Sequence, residues 1–82
     1  MRVTILYFAV LRELVGLERE EVVLPAELDR VGRLAAWLER RHAGLAGRLN
    51  AVRFAVDEEF AAEAHPLREG AVVALIPPVA GG

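Results

Sequence analysis

The sequence predicts an α+β domain, a mixed sheet of four to five strands with one main helix packed on one face. Three observations lead there. The clearest helical period lies near the middle of the chain, where Val31, Leu34, Ala35 and Leu38 recur at i, i+3, i+4 and i+7. Short apolar or alternating runs flank that stretch on both sides, bounded by Gly, Pro and acidic turn residues. The 82 residues, 55% of them hydrophobic, suffice for one core and not for two.

Residues 2–8 read as the first strand, with Val3, Ile5 and Tyr7 on one face and Thr4, Leu6 and Phe8 on the other. Apolar groups on both faces suit a central strand, and the first set is assigned to the core. Residues 9–15 form a short helical turn, with Val10 and Leu14 four apart and Gly16 as its cap. Residues 20–24 return as an antiparallel partner and stop at Pro25. Asp29 is the expected N-cap of the main helix. Arg40, Arg41 and His42 suit the negative end of its dipole, and Gly44 closes it. Gly32 inside it should cost about 1 kcal/mol relative to Ala. Trp37 lies at the edge of the apolar stripe and should pack over the following loop. Residues 51–56 give a strand, Asp57-Glu58-Glu59 a turn, residues 60–63 a short return, and residues 66–70 another turn. Residues 71–76 are the last strand, ended by Pro77-Pro78, which cannot donate to a ladder. The last strand should lie beside the first.

Composition excludes much. Cys, Ser and Lys are missing, and all ten basic residues are Arg. Disulfides and zinc-thiolate sites are ruled out, and Thr4, Tyr7, His42 and His65 are what remains of the usual nucleophiles. No side-chain amine can accept an isopeptide bond. The net charge of −2, with Arg scattered from Arg2 to Arg68, argues against a nucleic-acid partner. No apolar run reaches membrane-spanning length and no secretory leader is evident, so a cytoplasmic location is expected. Glu20-Glu21 and Glu58-Glu59 are adjacent carboxylates on strand or turn and read as solvated surface rather than a metal site. His42 reads as a cation at a helix end, His65 as a turn residue.

The final residues carry the functional signal. Gly81-Gly82 follows Pro77-Pro78-Val79-Ala80, and a carboxylate on two side-chain-free residues can be threaded into a narrow site. With side-chain nucleophiles scarce, the carboxylate of Gly82 is the expected reactive group. The reading divides the chain into a domain over 1–78 and a flexible Gly-Gly tail over 79–82.

Element order and length resemble the β-grasp fold of ubiquitin-like proteins. Two segments sharpen the likeness. Phe8-Ala9-Val10-Leu11-Arg12-Glu13-Leu14-Val15-Gly16 and the ending Leu75-Ile76-Pro77-Pro78-Val79-Ala80-Gly81-Gly82 resemble the small-subunit family of molybdopterin synthase, and the His65-Pro66-Leu67 turn also fits. Ala71, where the family often has Asp, and Leu75-Ile76, where aromatics are common, depart from the pattern.

The resemblance implies a sulfur carrier without turnover of its own. A ubiquitin-activating-type enzyme would use ATP and magnesium to adenylate Gly82, and a sulfur donor system would convert the adenylate to a thiocarboxylate. The tail, Pro78, Val79, Ala80 and Gly81, would thread into the large synthase subunit, where sulfur passes to a cyclic pyranopterin phosphate to make molybdopterin. No cofactor or metal would be bound by the chain itself. Phe8, Arg12, Phe60 and Ile76, with Leu6, would form a partner interface beside the tail, within a heterotetramer. Two alternatives stay open: a carrier for the thiazole of thiamine or for tRNA thiolation, whose members generally lack the Phe8–Gly16 pattern, and a β-grasp interaction domain with no carboxylate chemistry.

Overall fold

The computed structural model describes residues 1–78. The elements in order are β1 (Arg2–Tyr7), α1 (Val10–Val15), β2 (Arg19–Val23), α2 (Val31–Arg41), a single 3-10 turn (Ala43–Leu45), β3 (Arg53–Val56), β4 (Glu59–Ala61) and β5 (Val72–Ile76). The strands form one sheet in the order β2-β1-β5-β3-β4. β1 pairs antiparallel with β2 and parallel with β5, so the expected ribbon and the pairing of last strand with first are both present. β3 is antiparallel to β5 and to β4.

The alternation in β1 decides which face is buried. Val3, Ile5 and Tyr7 are all at most 1% exposed and pack with Val22, Phe54, Val56, Val73 and Leu75. From α2 the apolar stripe of Val31, Leu34 and Leu38 closes the layer, with Leu45 and Leu49 from the segment that follows. Burial of a side chain such as Leu34 or Leu38 is worth about 1.5–3 kcal/mol relative to exposure. Trp37 is half-buried against this core, with the Arg41 guanidinium 5.5 Å from its ring centroid.

Several ends differ from the sequence-based expectation, each for a physical reason. Asp29 is not the cap of α2; Arg30 occupies that position in extended conformation, with no side-chain cap. The helix is capped from a distance instead, Val31 N donating to His65 O (3.0 Å) and Gly32 N to Glu63 O (2.8 Å). Asp29 gives its carbonyl to Leu67 N (2.9 Å) in the same crossing. Gly32 is what allows it, since a Cβ there would lie 3.0 Å from Glu63 O, so an expected cost of glycine is offset by a cap that alanine would crowd.

The C-terminal end of α2 comes at Arg41 rather than Gly44, with His42 extended at φ −126 before the 3-10 turn. Gly44 serves a close approach: a Cβ there would stand 2.6 Å from the carbonyl oxygen of Leu14 in α1. The return strand is Glu59–Ala61 and not 60–63, because Asp57 and Glu58 alone make the turn, both at positive φ (50 and 73). That mirror-image turn matches the right-handed twist of a two-residue hairpin. β1 stops at Tyr7, one residue short of the expectation, because the chain bends at Ala9.

Candidate functional site: the uncovered face of the sheet

The face of the sheet opposite α2 has no layer over it among the described residues. The register lays Arg19, Leu6, Ala74, Ala55 and Phe60 in one row across all five strands. One residue past the pair Tyr7–Leu75 come Phe8 and Ile76, and Ile76 in turn faces Arg53. Phe8 is 46% exposed and Phe60 57%, while Leu6 and Ile76 are half-buried. The Arg53 guanidinium stacks 3.7 Å from the centroid of the Phe60 ring.

The predicted interface residues are thus all on or beside this face, but not in one compact cluster at the strand ends. Phe8, Leu6 and Arg12 share a shallow cleft with Tyr7, Glu18 and Arg19. Phe60 lies three strands away on β4, about 14 Å across at the usual strand spacing. Ile76 sits between, and Pro77-Pro78 follow it, Pro78 exposed. Arg12 is loosely engaged, 3.8 Å from the Glu18 carboxylate with both side chains largely in water, a pairing worth less than about 1 kcal/mol. Val79, Ala80, Gly81 and Gly82, the predicted threading and reactive residues, lie outside the described residues.

On the buried face the structure shows a polar cluster that the sequence reading missed. The Glu20 carboxylate accepts from the Tyr7 hydroxyl (2.6 Å) and His42 Nε2 at Oε2, and from Arg41 Nε (3.2 Å) and Nη2 (3.1 Å) at Oε1. The His42 ring meets Tyr7 edge-on. Burial acts to raise the Glu20 pKa, but the hydrogen bonds from Tyr7, His42 and Arg41 outweigh it and hold the carboxyl below its ordinary range. Burial, then the bond to Glu20, push the Tyr7 hydroxyl far above its ordinary value.

Glu20 is therefore not the solvated carboxylate expected of it, although Glu21 is exposed. His42 is a ligand of that carboxylate rather than a free cation at a helix end. A period of two run back from Leu24 through Val22 already sets Glu20 on the core face, and a core-facing Tyr7 needs an acceptor for its hydroxyl. Among the described residues, no group of three or more His, Asp or Glu side chains converges as a metal site, and no helix is long and apolar enough to cross a membrane.

A five-stranded mixed sheet with parallel central strands, one long helix across one face and an open apolar face on the other defines a ubiquitin-like β-grasp protein. SAMP1 of Haloferax volcanii has the same fold, with TM-score 0.85 and 26% identity over the whole of both chains. More particularly, the chain belongs to the ThiS family, whose sequence profile matches residues 5–82. It is 36% identical to the human molybdopterin synthase sulfur carrier subunit, over 99% of this chain and 94% of the human one. The Helicobacter pylori complex of subunits 1 and 2 of molybdopterin-converting factor contains a chain of like fold, with TM-score 0.71, 24% identity and full coverage of both.

Proposed function

We propose that this protein is the sulfur carrier of a molybdopterin synthase, and that Gly82 is the atom-transfer site. The observation that supports the reading most is the near full-length likeness to the human sulfur carrier subunit, joined to a family match that runs through residue 82. The Gly82 carboxylate attacks the α-phosphorus of ATP, with magnesium held by the activating enzyme, and pyrophosphate leaves. A sulfide-level nucleophile from a sulfur donor system then attacks the acyl carbon and expels AMP, leaving a thiocarboxylate. Activation is needed because a carboxylate is a poor acyl donor and AMP a good leaving group. Gly82 presents its carbonyl without a side chain in the way, and Gly81 leaves the approach angle free. The large subunit receives the tail, the thiocarboxylate sulfur bonds to a carbon of a cyclic pyranopterin phosphate, and water cleaves the resulting thioester, leaving the sulfur on the pterin and returning Gly82 to a carboxylate.

The body of the protein supplies docking rather than chemistry. The open face carries Phe8, Ile76 and Phe60 with Arg12 beside it, and an exposed apolar patch of this kind marks a partner site. Pro77 and Pro78 favour an extended departure from β5. The carrier alone turns nothing over. The test is pyrophosphate exchange by a ubiquitin-activating-type adenylating enzyme. The reading expects exchange that depends on this chain and disappears on deletion of Gly81-Gly82; exchange that survives the deletion refutes it.

A further inference from the structure

Between Phe8 and Val10 the backbone passes through Ala9 at φ 51, ψ −128. Glycine occupies that region freely, whereas an L-alanine is strained in it. Local hydrogen bonding does not call for a side chain: Leu11 N donates to Phe8 O (3.0 Å) and Arg12 N to Ala9 O (3.1 Å), and glycine would make both. Folding alone is better served by glycine at this position. What the bend does is stand two apolar side chains in water on either side of it, Phe8 and Val10, each 46% exposed. Arg12 follows in α1, 3.8 Å from Glu18, and Arg19 and Arg53 lie on the open face, where Glu21 also stands opposite Thr4. An apolar band with guanidiniums at its margins fits a partner surface with an apolar centre and carboxylates around it.

We propose that Ala9 is a positioning residue for docking, that Val10 is a contact alongside Phe8, and that the occupant is an acid-rimmed apolar surface of the large synthase subunit. The inference rests on the sulfur-carrier reading. At φ 51, ψ −128 alanine is held by its surroundings rather than by a well of its own. Its Cβ leaves less backbone freedom than glycine would have, so Phe8, Val10 and Arg12 keep a narrower range of relative orientations before encounter. Glycine would open a broad region, and ordering it would weigh against docking.

The experiment measures Kd for the purified large subunit, and Tm of the free carrier, for wild type, Val10→Ala, Ala9→Gly and Val23→Ala. Val23 is 66% exposed on the same face at the opposite end of β2 and serves as the control. Val10→Ala is expected to weaken binding about fivefold or more at unchanged Tm. Ala9→Gly is expected to raise Tm by about 4 °C or more as strain is relieved, yet to weaken binding about threefold. A merely structural role would not move stability and affinity in opposite directions. Val23→Ala should bind as wild type does. If wild type binds and either Val10→Ala or Ala9→Gly binds equally well, if Val23→Ala weakens binding as much as Val10→Ala does, or if Ala9→Gly lowers Tm, the inference is wrong and the carrier reading stands. If wild type itself does not bind the large subunit, both fall.

Discussion

Replacing Glu20 by Gln should destabilise the domain by about 2–3 kcal/mol at neutral pH, with the loss confined to conditions in which the native carboxylate is ionised. The magnitude follows from its partners. The Tyr7 hydroxyl is buried in the core and donates to Oε2, and leaving such a donor poorly matched costs about 1–3 kcal/mol. Arg41 is substantially exposed, so its pair contributes less than about 1 kcal/mol. His42, more enclosed, contributes between these. Glutamine keeps the size but offers one acceptor oxygen and turns an NH2 toward donors.

The sign with pH follows from the depressed carboxyl. A folded pKa held below the unfolded value gives stability that is fully present above the unfolded pKa, near 4.3 in order of magnitude, and lost as pH falls through the folded one. Wild type and Glu20→Gln should therefore differ by about 8–24 °C in Tm at pH 7, given about 4–8 °C per kcal/mol for a domain of this size. The two curves should converge below about pH 4. Thermal melts by circular dichroism between pH 3 and pH 8 make the comparison. A gap under about 2 °C at pH 7, or a gap of constant width down to pH 3, would refute the reasoning.

Other substitutions test the packing and the open face. Gly44→Ala should cost about 1–3 kcal/mol in urea unfolding, because the added methyl meets the Leu14 carbonyl oxygen at 2.6 Å and backbone must move. Glu58→Gly should stabilise by about 1 kcal/mol in the same assay, since Glu58 sits at φ 73 in a turn that glycine enters without strain. Phe8→Ala should lower Tm little but weaken binding to the large subunit by more than about 1 kcal/mol, whereas Ile5→Ala on the buried face should cost about 2–5 kcal/mol of stability. A large fall in Tm for Phe8→Ala with unchanged affinity would mean that the roles of the two sheet faces are reversed.

The parts of the fold that sequence alone discloses are those governed by a local period. Val3, Ile5 and Tyr7 alternate because one face of β1 is buried, and Val31, Leu34 and Leu38 repeat because one stripe of α2 is. The misread features depend on residues far apart in sequence. The N-terminus of α2 is capped by the carbonyls of Glu63 and His65, more than thirty residues on, which no inspection of Asp29 discloses. The role of Glu20 depends on Tyr7 and His42 arriving from two other elements. Phe8, Phe60 and Ile76 can each be read as apolar residues near strand ends, but the spread of the band from β1 to β4, across four strands, comes only with the sheet order. The strain at Ala9 has no sequence signature, since alanine is unremarkable at the start of a helical turn.

The central claim is that sulfur travels on the carboxyl group of Gly82. Intact-mass spectrometry after incubation with the adenylating enzyme, ATP, magnesium and a sulfur donor tests it most directly. Exchange of one oxygen for sulfur should add about 16 Da, located by fragmentation on the C-terminal peptide and missing from a chain that lacks Gly81-Gly82. A mass gain on an internal peptide, or an unchanged mass under conditions in which the enzyme adenylates the chain, would contradict the account.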